Sequence, residues 1–153
     1  MIDEQIVPNF WLSEFLDSDI AARFGIDNTP PQEVRVNVRV ALASGMQAVR
    51  DLLGYPVFIT SGYRCPELNA KVKGSPTSAH MQGLAADFKC PNFGTPLAVA
   101  RFLSVRQPNL RFDQLIQEGT WVHIAFPAGS AIPRGEVLTA HFGGPTTYTK
   151  GLA

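Results

Sequence analysis

Twelve prolines and thirteen glycines are spread along 153 residues, and this punctuation constrains the chain more than any other feature. Together they cut the chain into short elements joined by loops, as in a compact mixed domain. Internal repeats and low-complexity tracts are absent from the sequence. The length predicts one domain over residues 1–153.

Between the breakers the patterns are readable. Ser13 followed by Glu14, Phe15 and Leu16 reads as a capped helical turn, and Ser18 opens a second turn that Gly25 stops. Val34, Val36, Val38 and Val40 alternate as in a strand, whereas Val38, Leu42, Met46, Val49 and Leu53 recur at helical spacing. The helical pattern runs longer and predicts a helix over about 34–53, ended by Gly54. Residues 56–60 read as a short strand, 66–72 as a helix and 74–78 as a loop. Strands are expected at 83–90, 112–117 and 121–126, with a helix at about 96–105. The Gly-rich, polar end from 143 to 153 reads as a loose tail. Helices first, then strands broken by helices, imply an α+β fold: a small antiparallel sheet with helices packed on one side.

Hydrophobic residues make up 45% of the chain and charged ones 17%, enough apolar material for a core and too much for a disordered chain. Thirteen basic and thirteen acidic side chains cancel, which argues against a nucleic-acid partner. No apolar run approaches the roughly 18–20 residues that cross a bilayer, so no membrane partner is expected. The first residues are acidic where a signal peptide would be basic, and the chain is expected to be made in the cytoplasm without one.

The charges are unevenly placed. Residues 1–33 hold seven acids and one base, and residues 34–111 hold ten bases and three acids. Either the basic middle attracts an anionic polymer such as a wall glycan, or the acidic segment packs beside it and neutralises it; we take the second. Cys65 and Cys90 are too few for a disulfide scaffold, and two reduced thiols are expected.

Three histidines occur, His80, His123 and His141. His80 precedes an expected strand in which Asp87 stands among Leu84, Ala85, Ala86 and Phe88, where a carboxylate is costly to bury without a positive partner. His123 interrupts a second apolar strand, and alternation places Trp121, His123 and Ala125 on one face. Two histidines and a carboxylate suit a catalytic zinc ion, with a fourth position left for a water whose pKa falls to about 7. The same residues also admit a metal-free reading, in which Asp87 pairs with an arginine and the histidines are ordinary core residues.

Ser61-Gly62-Tyr63-Arg64, Gly74-Ser75, the run from Ser78 to Asp87, and Trp121-Val122-His123-Ile124 together resemble the successive motifs of the M15 family of zinc peptidases. That family includes D-Ala-D-Ala carboxypeptidases and related peptidoglycan peptidases of bacteria and of phage lysis enzymes, the endolysins. Asn9 to Phe15 and Gly25 to Pro30 resemble the N-terminal region of its phage and prophage branch. The resemblance spans about residues 6–126. It implies a hedgehog/DD-peptidase-like fold with the zinc site on the sheet, and it implies His80, Asp87 and His123 as the zinc ligands. Arg64 matches the family's arginine, which can stabilise the transition-state oxygen or hold a substrate carboxylate. Ser78 is expected either to contact substrate or to cap its loop, Trp121 to wall the site or sit in the core, and Tyr63 to pack or touch substrate. His141 lies outside the motifs and is not expected to be a ligand.

The general base is where the chain departs from the pattern. Well-known members carry an acid three residues before the last histidine; here that residue is Thr120, which cannot take a proton in this role. Glu118 is the nearest carboxylate: either a turn at Gly119 brings it to the site as the base, which is the expectation, or it is a plain exposed hairpin acid. Asp113 is the next candidate, more suited to a structural contact. The expectation is thus a monomeric zinc metallopeptidase cutting peptidoglycan stem peptides or cross-links, as a D,D-carboxypeptidase or endopeptidase acting on the bacterial wall. The alternative is a non-catalytic, zinc-bearing wall-binding or assembly module.

Overall fold

The structure, a computed structural model, describes residues 2–152; Met1 and Ala153, the ends of the expected domain and tail, lie outside the described residues. Strands β1 (Gln5–Val7) and β2 (Phe10–Trp11) form a small hairpin that leads into helices α1 (Leu12–Leu16) and α2 (Asp19–Arg23). The first turn of α1 is closed at Trp11, whose N–H donates to Glu14 Oε2 at 2.7 Å, so Ser13 lies inside the helix and is not its cap. Ser18 does cap α2, accepting from the Ala21 N–H at 3.1 Å.

The valine-rich segment is helical throughout. Helix α3 (Gln32–Asn37), a π-helical turn (Val38–Leu42) and α4 (Ala43–Leu53) run on from one another and stop at Gly54. Helical spacing prevails over strand alternation because Val34, Val38, Leu42, Met46, Val49 and Leu53 share one buried face, while Val36 and Val40 are exposed. Helices α5 (Pro66–Lys71) and α6 (Pro96–Ser104) and a 3₁₀ turn (Ala79–Gln82) complete the helical elements. The π-helical turn and helices α4 and α6 cover one face of the main sheet through Leu42, Met46, Val49, Val99 and Leu103, packed with Phe88, Leu115, Val122 and Ile124 in one core cluster. Cys65 and Cys90 are both free and buried.

The main sheet has six strands: β3 (Phe58–Ser61), β4 (Ala85–Lys89), β5 (Gln114–Glu118), β6 (Trp121–Ala125), β7 (Glu136–His141) and β8 (Thr147–Lys150). Their order is β3-β4-β6-β5-β7-β8. The expected purely antiparallel sheet is corrected to a mixed one, because β5 and β7 run parallel. Strand β6 ends opposite the start of β5, with Ala125 across from Gln114, and β7 also starts there, with Glu136 across from Gln114. The chain therefore only has to round the beginning of β5, and Asp113 holds it there. The Asp113 carboxylate accepts from Arg134 N–H, Nε and Nη2 at 3.0, 3.1 and 2.8 Å.

The expected loose tail is also corrected. Thr147–Lys150 pairs with β7, although its four side chains are exposed and carry no apolar signal. Backbone pairing, the Thr139 hydroxyl donating to Gly151 O at 2.7 Å, and a 2.7 Å His141–Thr149 hydrogen bond hold it in place. Of the N-terminal acids, Glu4 meets Arg39 of the basic middle in a two-pronged ion pair at 2.5 and 2.6 Å.

Candidate active site

Asp87 on β4 and His123 on β6 are directly paired across the strands and so project from the same face. It is the face opposite α4 and α6, because the alternate residues Ala86, Phe88, Val122 and Ile124 fill the core. His80 reaches the pair from the 3₁₀ turn, which Ser78 caps by accepting from the His80 N–H at 3.2 Å. Gly83 ends that turn at φ +71°, where a Cβ would lie 2.8 Å from Val34 O and 2.9 Å from the Val38 side chain. Only glycine lets the His80 turn seat this closely on the long helix.

The three side chains converge on one point. Asp87 Oδ1 lies 3.2 Å from His80 Nε2 and 3.0 Å from His123 Nδ1, and the ligand atoms of all three fall within 4.8 Å of one another. His80 is 1% exposed and His123 8%, so water does not satisfy these groups. His80 Nδ1 donates to Gly62 O at 2.7 Å. Burial pushes the His80 pKa down despite the Asp87 carboxylate, which favours the neutral ring. A neutral ring with its proton on Nδ1 turns the Nε2 lone pair toward a carboxylate oxygen. Burial alone would raise the Asp87 pKa, but the adjoining His123 and His80 rings hold it far below the usual carboxylate range. An anion facing a lone pair in a buried site calls for a cation between them, and two imidazoles with one carboxylate are a metal-binding set.

Around this cluster lies a cavity of about 560 Å³, lined by Arg64, Ser78, Glu118, Trp121 and the three candidate ligands among others. Glu118 ends β5 opposite Trp121, one diagonal step from His123, whose direct partner is Ile116. Diagonal positions lie roughly 7–8 Å apart, within reach of a glutamate side chain. Burial raises the Glu118 pKa, with His123 and Arg64 pulling the other way. Thr120 instead lines a small pocket on the helix-covered side, with Phe88, Cys90 and Val99. The hairpin thus turns the residue three before His123 away from the cluster and brings Glu118 to it. Asp113, occupied by Arg134, serves as a structural contact.

Arg64 follows the Ser61-Gly62-Tyr63 turn, and its N–H donates to His80 O at 3.1 Å. Its buried Nε has no hydrogen-bond partner among the described residues. Burial lowers its pKa, opposed by Asp87 and Glu118, and the group stays a cation. Sequence reasoning missed what holds it. The Asn28 amide donates to Tyr63 O at 3.1 Å and accepts from Cys65 N–H at 2.7 Å, gripping the chain on both sides of Arg64. Asn before Thr-Pro-Pro reads only as loop, and nothing local points to position 64.

Tyr63 is 4% exposed and packs with Ala21, Val34, Cys65 and Leu68, while also lining a second cavity of about 710 Å³. That cavity shares Arg64, Asp87 and Trp121 with the first, and its far wall carries Glu14, Asp17 and Asp19. Trp121 stands where the two meet, its ring 6.3 Å from that of Phe142 and its buried Nε1 without a partner among the described residues. Ser78 caps its turn and lines the cavity as well. His141 is engaged with Thr149 and takes no part in the cluster.

A buried His-Asp-His cluster with a neighbouring carboxylate and guanidinium, on the open face of a sheet, is the type of site a metallopeptidase uses. The family profile of Peptidase M15 matches residues 8–125, and the chain belongs to that peptidase family. No curated protein matches the chain. Among the described residues no helix is long and apolar enough to cross a membrane.

Proposed function

We propose that this chain is a zinc-dependent peptidase that hydrolyses peptide bonds in peptidoglycan, as a D,D-carboxypeptidase or an endopeptidase on stem peptides or cross-links. The observation that carries the reading is the convergence of His80 and His123 on Asp87 Oδ1 within a cavity that also holds Glu118 and Arg64. Zinc held by these three side chains would supply Lewis acidity and an acidified water. Glu118 takes the proton of the attacking water and passes it to the leaving amine as the C–N bond breaks. Its raised pKa suits both transfers. Arg64, half-buried and with its Nε–H unpartnered among the described residues, meets the carbonyl oxygen as negative charge develops there. Lysis by a phage-type enzyme acting as a monomer on the bacterial wall, with no nucleic-acid or membrane partner, is the setting this reading fits.

Incubating the protein with peptidoglycan, with and without a chelator, and weighing the released fragments by mass spectrometry tests the proposal. Chelator-sensitive release is expected, and the mass lost identifies the bond. A zinc-loaded protein that binds wall but releases nothing from several wall types would instead mark a binding module.

A further inference from the structure

We propose that Tyr148 is a substrate-binding residue of this site, its hydroxyl donating a hydrogen bond to the peptide on the side of the metal cluster away from Arg64. The inference rests on the peptidase reading above and adds a wall from β7 and β8, which lie outside the matched residues 8–125. In the sheet order β3-β4-β6-β5-β7-β8 the cluster sits on β4 and β6, Arg64 follows β3 at one edge, and Tyr148 lies on β8 at the other.

The strand register brings Tyr148 back toward the cluster. Trp121 pairs with Glu118, Tyr148 pairs with Ala140, and the Gln117–Thr139 pair puts Glu118 beside Ala140 one residue further on. Trp121, Glu118, Ala140 and Tyr148 thus form one row across four strands. Two strand spacings, about 10 Å, separate the backbones of Glu118 and Tyr148. Between them stands only the methyl of Ala140, so the phenol ring can lean over it. Tyr148 lines the same cavity as His80, Asp87, Glu118 and His123, beside Phe142 and Thr146.

Its chemistry suits a donor. The residue is 52% exposed, and its hydroxyl has no hydrogen-bond partner among the described residues. Burial of the phenol, with the charges of Glu118 and Asp87, raises its pKa and keeps the proton on the oxygen. A neutral phenol in a cavity that also holds two carboxylates can offer its proton to a substrate carbonyl or carboxylate without adding charge to the site.

Tyr148→Phe removes only the hydroxyl and keeps the ring. With zinc-loaded protein and soluble muropeptides, linear and cross-linked, KM should rise about three- to tenfold with kcat held within about twofold. Zinc content and thermal midpoint should not change. Calorimetric binding of the same muropeptides in a Glu118→Gln background should weaken by the same factor. Unchanged KM and binding would overturn the role of Tyr148 while leaving the peptidase reading intact, as would a loss confined to kcat or accompanied by lost zinc. Wild-type protein that binds but does not cut, with binding weakened by Tyr148→Phe, would overturn the peptidase reading and keep Tyr148 as a binding residue. Neither cutting nor binding would overturn both.

Discussion

The carbonyl oxygen of Gly62 lies 2.7 Å from Nδ1 of His80, and this contact sets which nitrogen of the histidine faces Asp87. Gly62 reaches that position by pressing against α1, where a Cβ would lie 2.3 Å from Phe15 O. Gly62→Ala must therefore shift the backbone that orients His80. A destabilisation of about 1–3 kcal/mol is expected in thermal unfolding. Zinc affinity should fall about 10–100-fold in a competition titration, since the outer partner of a ligand is disturbed. Unchanged affinity would show that the Gly62 carbonyl does not orient the ligand.

Removing metal should lower stability. Without a cation the His80 lone pair and the Asp87 carboxylate oppose each other at 3.2 Å in a buried site. Chelation of the zinc-loaded protein should lower the thermal midpoint, and added zinc should restore it in a concentration-dependent way. Asp87→Ala should abolish that response, and a midpoint indifferent to zinc would exclude the metal site.

Glu118→Gln should reduce kcat by about 10²–10⁴-fold with zinc retained, while Thr120→Ala, on the other side of the sheet, should leave it unchanged. The base acts deprotonated, so kcat/KM should rise as pH climbs through the Glu118 pKa, which burial places above the ordinary 4.5. An acid limb that persists in Glu118→Gln would assign it to another group.

Asn28→Ala should act on Arg64 at a distance. It removes the amide that bonds Tyr63 O and Cys65 N–H. Hydrolysis should fall together with stability, by about 1–3 kcal/mol in unfolding, as three backbone groups, the Leu16 and Tyr63 carbonyls and the Cys65 N–H, lose a partner. Asn28→Asp, which keeps only the acceptor, should be intermediate. Equal activity in all three proteins would separate Asn28 from the site.

Asp113→Asn should loosen the β6–β7 crossover. Its bond with Arg134 holds the Asp113 pKa below the ordinary value, so the stabilisation is complete above the unfolded pKa and is lost as pH falls through the folded one. At neutral pH the variant should be less stable by on the order of 1 kcal/mol, because Arg134 is largely exposed and the pair is screened. The difference from wild type should shrink on acidification; a pH-independent gap would point to lost backbone contacts.

What the sequence determined by itself was local and periodic. Helical spacing settled the 34–53 segment, Ser18 its helix, and the apolar runs β4 and β6, while alternation placed His123 and Trp121 on one face. His80, Asp87 and His123 were legible because a polar group inside an apolar run stands out and must be satisfied there. Tertiary structure alone decided the rest. The parallel pairing of β7 depends on where β6 ends, and β8 is held by backbone bonds that its polar, exposed residues do not advertise. Asn28 and the backbone flanking Arg64, and Tyr148 and Glu118 in one cavity, are separated by tens of residues, and no periodicity links them. Strand register and chain crossover set such contacts, and both are fixed only when the core closes, since a slip of one residue would turn every side chain to the other face.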